Sequence, residues 1–455
     1  MKLSPHTRRD FLRKAVLGGS GALAFASAGT LSRLAEAAEA DDLYFVFAYF
    51  SGGWDILLGL DPRDPGMFSD DNLGATLIQP GYDKLQNRPN AMPITAGGIT
   101  FGPFIGDLKN HASRLAVIRG MTMETLTHEA GRRRFLTGKP PSGLLARGSS
   151  VATRLAAVLG QDNPIPNLAI QVESYNVDQP SYASGLAASG VSDLLRALRP
   201  SNPILSTAED RAIDALLKQN AACTRSLESG LIRTAEAARQ KARDMTGRDL
   251  ARLFDFLAPG PEMDRIRAHY AIPAGAAGLV SAEAQAAMAA QAIMGGVSRV
   301  VSIEAAEGLD THFREWTTDQ GPRQERGFNA IARLMDDLLA HEYRATGTSW
   351  LDHTVIVGFS EFSRTALLNP RDGRDHSLTN ACFVTGAKIK GGVVVGGSTD
   401  VGMQPQGANL MTGAVDPMGT PPHPEHVLQT LLTLAGQTRD EADLRVPPIP
   451  AILRA

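Results

Sequence analysis

The chain has 455 residues, of which 43% are hydrophobic and 20% are charged, and its formal net charge at pH 7 is −3. These proportions are ordinary for a globular protein, and the length suffices for about two or three core units. A general nucleic-acid binder carries a net positive charge, whereas this chain has a net charge of −3. We therefore expect no nucleic-acid partner.

The first forty residues have the features of an export signal rather than of a folded domain. Residues 7–13 (TRRDFLR) form a twin-arginine pattern, a modestly apolar segment follows at 15–28, and two AEA triplets at 35–37 and 38–40 are candidate cleavage sites. The apolar segment is too short and too rich in Gly, Ala and Ser for a membrane span, and a basic amphipathic helix is the alternative. We predict a signal peptide over residues 1–40, export by the twin-arginine machinery, and a periplasmic or extracellular location.

Nearly continuous apolar runs predict strands that are covered on both faces. The runs are 43–50, 115–119, 300–303 and 355–359, and a further strand is predicted at 167–172. Helical patterns at 104–113, 282–294 and 324–344 precede the later runs. Strands that alternate with helices predict a doubly wound, mainly parallel α/β sheet flanked by helices.

Residues 206–257 differ from the rest of the chain. They are polar and rich in Ala and Arg, with apolar residues such as Ile213, Leu216 and Leu217 at helical spacing. We predict a helical insertion over about 204–258, within an α/β domain that spans 41–455. The insertion either covers the site as a lid or packs as ordinary helices.

The chain has two cysteines, Cys223 in a helical pattern and Cys382 in a strand-like one. An oxidising compartment would permit one disulfide, but nothing in the sequence requires it. We interpret both residues as buried thiols.

Polar side chains follow the predicted strands at four places, where the carboxyl ends of parallel strands meet. The segments are 51–55 (SGGWD), 310–312 (DTH), 361–364 (EFSR) and 374–376 (RDH). Each segment alone also fits a turn, a helix cap or a surface ion pair. Carboxylates and imidazoles without thiolates suit zinc, manganese, magnesium or calcium. The predicted ligands of a divalent metal ion are Asp55, Asp310, His312, Glu361, Asp375 and His376.

The same segments resemble a known family. Residues 53–55, 61–63, 310–312, 361–365 and 373–376 resemble, in this order, the signature blocks of a twin-arginine-exported bacterial family catalogued as domain of unknown function 1501. That family is grouped with the alkaline phosphatase and sulfatase superfamily. The resemblance covers nearly the whole chain after the signal.

The resemblance implies an alkaline-phosphatase-like α/β fold, one or two divalent metal ions, and attack on a phosphate or sulfate ester by a nucleophile at a helix start. Asp55 would be the ligand after the first strand, and Asp310 and His312 the central pair. Glu361 would replace an aspartate of the usual Asp-His pair, and His376 would be the late histidine.

Two departures from the superfamily pattern affect the expected site. Phe362 stands where phosphatases usually have a histidine, so one ligand is missing or comes from Asp375. Residues 136–138 (LTG) resemble an element that lies ten residues after the nucleophile, and His128 occupies that position instead of a hydroxyl or thiol residue. Arg132 falls where sulfatases have their motif arginine.

His128 is therefore open to three interpretations. It is a metal ligand or general base, a nucleophile that forms a phosphohistidine-like intermediate, or part of a binding site that lost catalysis. The leading hypothesis is a metal-dependent hydrolase of a small anionic phosphate or sulfate ester, with Arg132 or Arg364 neutralising the substrate. The alternative is a non-catalytic envelope protein that uses the anion site to bind a glycan, a lipid head group or a partner.

Overall fold

A computed structural model describes residues 42–140, 142–143, 145–199, 205–223, 229–437 and 444–454. The predicted signal peptide, residues 1–40, lies outside these ranges and stays a prediction. Within these ranges, no helix combines the length and the apolar composition that crossing a bilayer requires.

The described strands and α-helices alternate in part of the chain and form runs elsewhere, with five described α-helices between residues 188 and 300 and five strands in succession from 354 to 396. In chain order the described strands are β1 (Tyr44–Phe50), β2 (Ile94–Ala96), β3 (Ile99–Phe101), β4 (Leu115–Thr122), β5 (Asn167–Ile170), β6 (Leu186–Ala188), β7 (Val300–Ala306), β8 (Thr354–Phe359), β9 (Ser363–Arg364), β10 (His376–Ser377), β11 (Thr379–Gly386) and β12 (Val393–Gly396). The described α-helices are α1 (Leu73–Thr76), α2 (His128–Thr137), α3 (Val151–Leu159), α4 (Val191–Leu198), α5 (Thr207–Ala221), α6 (Gly230–Gly247), α7 (Pro261–Tyr270), α8 (Ala282–Met294), α9 (Gln320–Ala340) and α10 (Pro424–Leu434).

Eight of the described strands form one sheet in the order β12-β4-β11-β8-β1-β7-β5-β6. β11 runs antiparallel to its neighbours β4 and β8, and the other neighbouring pairs are parallel. The predicted mainly parallel α/β sheet is thus confirmed. Because β11 alone opposes the others, its amino end lies at the same edge of the sheet as the carboxyl ends of the remaining strands.

Strand β1 shows why the sheet is covered on both faces. All seven of its residues are buried. Tyr44, Val46 and Phe50 join a core cluster that includes residues of α8 and α9, whereas Phe45 and Phe47 join a second cluster with residues of α2, α3 and α10. Successive side chains of a strand point to opposite faces, and each such large apolar side chain stabilises the fold by about 1.5–3 kcal/mol.

One predicted α-helix, at 104–113, is a 3-10 helix, Gly106–Arg114. Gly106 has a φ of +59°, and the Asp107 N–H donates to Asn329 Oδ1 at 2.7 Å. A residue in the left-handed region has no place in a regular α-helical turn, so the first turn of the segment is irregular.

The segment predicted as a helical insertion contains α5 and α6. None of the residues of α5 is buried, and an ion pair links it to α6, with Arg243 Nη2 2.7 Å from Asp210 Oδ2. Cys382 is buried but Cys223 is exposed. The prediction of two buried thiols is therefore wrong for Cys223, because it follows a helix that contributes no buried side chain.

Candidate metal centre

Turns at one edge of the sheet bring the candidate residues together. Asp310 and His312 follow β7, and Glu361 follows β8. His128 is the first residue of α2, the helix that comes after β4, and His376 begins β10 just before β11. Since the carboxyl ends of β4, β7 and β8 and the amino end of β11 share this edge, distant segments of the chain meet there.

One oxygen, Oδ1 of Asp310, lies at the middle of the cluster. It is 3.3 Å from His128 Nε2, 3.0 Å from His312 Nε2 and 3.2 Å from His376 Nε2. The Arg364 guanidinium contacts the same oxygen at 2.6 Å through Nη2. His312 Nε2 and His376 Nε2 are only 2.9 Å apart. Potential ligand atoms of His128, Asp310 and His376 all lie within 4.8 Å of one another.

Protein acceptors hold the rings of His312 and His376 at Nδ1. His376 Nδ1 is 2.7 Å from the Leu126 carbonyl oxygen, and His312 Nδ1 is 2.9 Å from Asp375 Oδ1. A carbonyl oxygen or an ionised carboxylate only accepts, so we assign the ring hydrogen to Nδ1 in both residues. Both Nε2 atoms then face the centre with a lone pair.

Glu361 fixes the third imidazole. Its Oε1 lies 2.7 Å from His128 Nδ1 and accepts the Gly52 N–H at 2.9 Å, while its Oε2 accepts the Ser360 hydroxyl at 2.9 Å. This carboxylate is 1% exposed. Its contact with Nδ1 orients the His128 ring. His128 Nε2 is buried and makes no well-formed hydrogen bond, although Asp310 Oδ1 lies 3.3 Å from it.

Burial and charge act in opposite directions on the ionisable groups. Burial acts to raise the pKa of Glu361 and of Asp310, but hydrogen bonds from His128 to Glu361 and from Arg364 to Asp310 hold both pKa values below their usual range. Burial acts to lower the pKa of His128, yet Glu361 and Asp310 outweigh it and raise that pKa. Burial lowers the pKa of His376.

Phe362 forms a wall of the cluster. Its side chain is buried, and its ring centroid lies 4.7 Å from that of His128 and 4.2 Å from that of His376. At the position where the superfamily resemblance implies a histidine, this chain therefore has an apolar ring that packs against two imidazoles. Phe362 restricts their orientation and offers no ligand atom.

The structure does not bring Asp55 into the cluster. Asp55 Oδ1 accepts the Leu57 N–H at 2.9 Å, and Oδ2 lies 2.8 Å from Trp316 Nε1 and 3.0 Å from Arg374 Nε. Asp55 and Arg374 both have fully buried side chains. A buried charge is costly unless it is paired, and Asp55 is the carboxylate that pairs with Arg374.

Arg364 belongs to the scaffold of the centre. Its Nε donates to the Gly53 carbonyl oxygen at 3.0 Å, and Nη1 donates to the Arg374 carbonyl oxygen at 3.2 Å. Nη2 donates to Asp310 and to the Gly52 carbonyl oxygen. These bonds fix the guanidinium against Asp310, so it contributes positive charge with its donors already engaged.

The arginines of α2 have partners away from Asp310. Arg132 Nη2 and Arg133 Nη2 lie 2.8 and 3.4 Å from Glu173 Oε1. Arg134 is fully buried and lies 2.6 Å from Glu425 Oε2. The structure therefore places Arg132, the predicted motif arginine, in an ion pair with Glu173.

Sequence reasoning missed the groups that orient the cluster. The Leu126 carbonyl and the Gly52 N–H belong to the backbone, which leaves no residue signature. Ser360 stands directly before Glu361, so the sequence did show its hydroxyl as a possible hydrogen-bond donor to that carboxylate. Gly131 matters through close approach, because a Cβ at this position would lie 2.5 Å from the Glu361 carbonyl oxygen.

Two comparisons with known proteins bear on the chain. No curated protein is significantly similar to it. One protein-family model matches residues 61–426, a range that contains every residue of the cluster around Asp310. The chain therefore belongs to the family described as "Protein of unknown function (DUF1501)".

Proposed function

We propose that this chain is an exported, divalent-metal-dependent hydrolase of phosphate or sulfate esters, built on an alkaline-phosphatase-like α/β core. The observation that carries the proposal is the convergence of three imidazole Nε2 atoms on Asp310 Oδ1. Each of these imidazoles is held at Nδ1 by an acceptor.

The hydrogen assignment supports the proposal of a cation between these atoms. With hydrogens on the Nδ1 atoms, the Nε2 atoms of His312 and His376 present two lone pairs to each other across 2.9 Å. In this assignment His312 Nε2, His376 Nε2 and Asp310 Oδ1 all lack a hydrogen, so none of the three can donate a hydrogen bond to another. His128 Nε2 is buried and makes no well-formed hydrogen bond; it lies 3.3 Å from Asp310 Oδ1, with which it forms an ion pair when the ring is protonated. A divalent ion would satisfy all four atoms.

The donor set suits particular ions. Imidazole nitrogens with one carboxylate oxygen are typical of zinc and also accommodate manganese. Bound there, a divalent ion would act as a Lewis acid toward an ester oxygen and lower the pKa of a water molecule. The side chains of Asp310 and His312 are 47% and 30% exposed, so an ester can reach the centre from solvent.

The protein residues have distinct roles in this proposal. His128, His312, His376 and Asp310 bind the ion, and Arg364 places a fixed positive charge beside them for the developing anion. The Glu361 carboxylate holds the ring of His128 in place, as Asp375 does for His312 (2.9 Å). Such orienting carboxylates are typical of histidine metal ligands.

The test is to purify the exported protein and measure its metal content by elemental analysis, with turnover of aryl phosphates and aryl sulfates. We expect about one ion per chain, and loss of the ion and of turnover in His312→Ala and His376→Ala. His341→Ala, which removes an imidazole from the end of α9, is the matched control and should keep both. Metal-free protein that stays inert after metal addition would overturn the proposal.

A second candidate is a non-catalytic envelope protein that keeps the fold and binds an anionic ligand. The observation in its favour is that the donors of Arg364 are engaged by the scaffold and that Arg132 is paired with Glu173. Neither guanidinium is then free to clamp a substrate. A protein that retains its ion but turns over no ester in a broad panel would support this candidate.

We also propose export by the twin-arginine machinery, on the strength of the pattern at residues 7–13. Replacing Arg8 and Arg9 together with lysine should leave the precursor in the cytoplasm, because the machinery recognises the arginine pair rather than positive charge alone. Cell fractionation of the two forms is the measurement. Equal export of the doubly substituted chain would contradict the proposal.

A further inference from the structure

Ion pairs connect α5 and α6 and show how these helices lie against each other. Arg243 Nη2 of α6 lies 2.7 Å from Asp210 Oδ2 of α5, and Arg239 of α6 contacts Asp214 of α5. The earlier carboxylate of α5 thus pairs with the later guanidinium of α6, so the two helices run antiparallel. The sides that carry these four residues are the sides on which the helices face each other.

An apolar stripe runs along α5 beside this contact. Residues three and four positions apart lie on one side of a helix, and the stripe consists of Ile213, Leu216 and Leu217. With about 3.6 residues per turn, the stripe lies about a quarter of a turn from the side that carries Asp210 and Asp214. Its three side chains are 44%, 57% and 40% exposed, so much of the stripe is open to solvent.

A matching stripe of mostly small residues runs along α6. All of its residues are exposed, and they are Leu231, Ala235, Ala238 and Ala242. This stripe also lies about a quarter of a turn, in the same rotational sense, from the side that carries Arg239 and Arg243. Because the helices are antiparallel, equal rotations in the same sense lead to the same side of the pair. The two stripes therefore form one apolar surface, the helix-pair face.

Few charges lie on the helix-pair face. Among the described residues of α5 and α6, Glu209 and Lys241 are the charged ones at its margin. Glu209 Oε2 accepts the Ser206 N–H at 2.8 Å, and Lys241 Nζ donates to the Gln161 carbonyl oxygen at 3.3 Å, so both are engaged within the chain. A centre without charge and a polar margin are typical of a protein–protein interface.

We propose that the helix-pair face binds the same face of a second copy of the chain, so that two helix pairs form a four-helix bundle. The face is self-complementary, because α5 carries leucine and isoleucine where α6 carries mainly alanine. A two-fold axis parallel to the helices places α5 of one copy over α6 of the other. Large side chains then meet small ones, as close packing requires.

A lipid surface fits the same face less well. Helices that lie on membranes carry lysines and arginines on their polar side, where these contact anionic lipids. Arg239 and Arg243 are instead paired with carboxylates of α5, and Arg239 also lies 2.6 Å from Glu236. These arginines are therefore neutralised within the helix pair.

The size of the face indicates a weak dimer. α5 has 15 residues, which gives a length of about 22 Å at about 1.5 Å per residue. Neighbouring helices lie about 8–10 Å apart, so the face is roughly 20 Å wide and two copies together bury roughly 900 Å². This area is at the low end of specific interfaces, which corresponds to a roughly micromolar or weaker dimer.

The test is sedimentation equilibrium of the full-length mature protein between about 1 μM and about 500 μM, a range that brackets such a Kd. We expect a monomer–dimer equilibrium. Leu216→Glu should weaken the dimer about tenfold or more, because it places a carboxylate of each copy in the apolar interface. Ala215→Glu adds the same charge on the opposite side of α5, at an exposed position, and as the matched control it should dimerise like the wild type.

A second variant and a vesicle experiment complete the test. Leu231, on α6, is 81% exposed, so Leu231→Glu should also weaken the dimer without disturbing the fold, which circular dichroism checks. A protein that stays monomeric throughout, or a dimer that survives both variants, would overturn the inference. Binding to vesicles of phosphatidylglycerol and phosphatidylethanolamine that both variants abolish, in a monomeric protein, would assign the face to lipid instead. Sedimentation needs neither metal nor ester, so its outcome is independent of the proposed hydrolase.

Discussion

The two nitrogens of each histidine at the centre have different functions. Nδ1 of His128, His312 and His376 contacts a protein acceptor, and Nε2 of each ring faces Asp310. The sequence singled out His312 and His376 because they belong to polar segments near strand ends, and it singled out His128 only through the family resemblance. It did not predict which ring nitrogen is available, since that depends on acceptors such as the Leu126 carbonyl.

Glu361 provides a test of ring orientation. Glu361→Gln keeps the size of the side chain and removes its charge, so His128 should lose part of its basicity and orientation. We expect metal affinity to fall roughly 10–100-fold, measured by competition with a chromogenic chelator. Glu342→Gln is the matched control, because Glu342 also accepts a backbone N–H, that of Gly347. Equal affinity of wild type and Glu361→Gln would show that Glu361 does not act through His128.

Glu304 predicts a pH dependence of stability. Burial raises its pKa from 4.5 to about 7, so between these values the folded chain binds more protons than the unfolded chain. The contribution of Glu304 to the free energy of unfolding is therefore full below about pH 4.5 and is lost as the pH rises through 7. Glu304→Gln has no such loss and should be more stable than wild type at about pH 8, by about 1–2 kcal/mol after allowance for partial exposure.

Guanidinium denaturation at about pH 5 and pH 8 measures this difference. The two proteins should differ less at the lower pH, where the carboxyl group of the wild type is mostly protonated. An equal difference at both pH values would mean that Glu304 does not titrate between them.

At the scale of elements, the position of α2 decides whether His128 reaches the centre. Gly131, one turn after His128, lies where a Cβ would be 2.5 Å from the Glu361 carbonyl oxygen. This close approach brings the first residue of the helix within 2.7 Å of the Glu361 carboxylate. The sequence shows an ordinary glycine in a helix, because the neighbour that requires it is 230 positions away.

Gly131→Ala should therefore push α2 away from Glu361. We expect destabilisation by about 1–3 kcal/mol and loss of metal affinity of more than about tenfold, since a small misplacement of a ligand is costly. Thermal unfolding and chelator competition measure the two effects. The matched control is Gly230→Ala at the start of α6, where an added Cβ meets nothing within 4 Å. Unchanged metal binding in Gly131→Ala would contradict the proposed role of α2.

The sequence predicted the bounds of some elements more accurately than those of others. The prediction of a helix at 282–294 matches α8, Ala282–Met294, because an unbroken helical pattern ends at glycine. The strand at 115–119 extends to Thr122 as β4, since pairing with β11 continues past the apolar run. A hydrophobic pattern shows which face is buried, but pairing partners decide where a strand ends.

At the scale of the whole molecule, the centre joins residues as far apart in the chain as His128 and His376, so binding there should stabilise the fold as a whole. A ligand at about 100 times its Kd adds about 2.7 kcal/mol to the free energy of unfolding. We expect zinc or manganese to raise the Tm of chelator-treated protein, measured by calorimetry. The shift should disappear in His376→Ala and persist in His341→Ala. A shift of the same size in both variants would place the ion elsewhere.

The sequence by itself determined the family, the mainly parallel sheet, and the carboxylates and imidazoles at its edge. These follow from local information, namely apolar runs, helical spacing and the residue types directly after each strand. Only the tertiary structure decided which of those side chains meet. Asp55 and Glu361 look equivalent in sequence, but the buried Arg374 engages Asp55, whereas Glu361 supports His128. The physical reason is that a ligand contact needs atoms placed within a few tenths of an ångström, and that placement depends on how helices and turns far apart in sequence pack against the sheet.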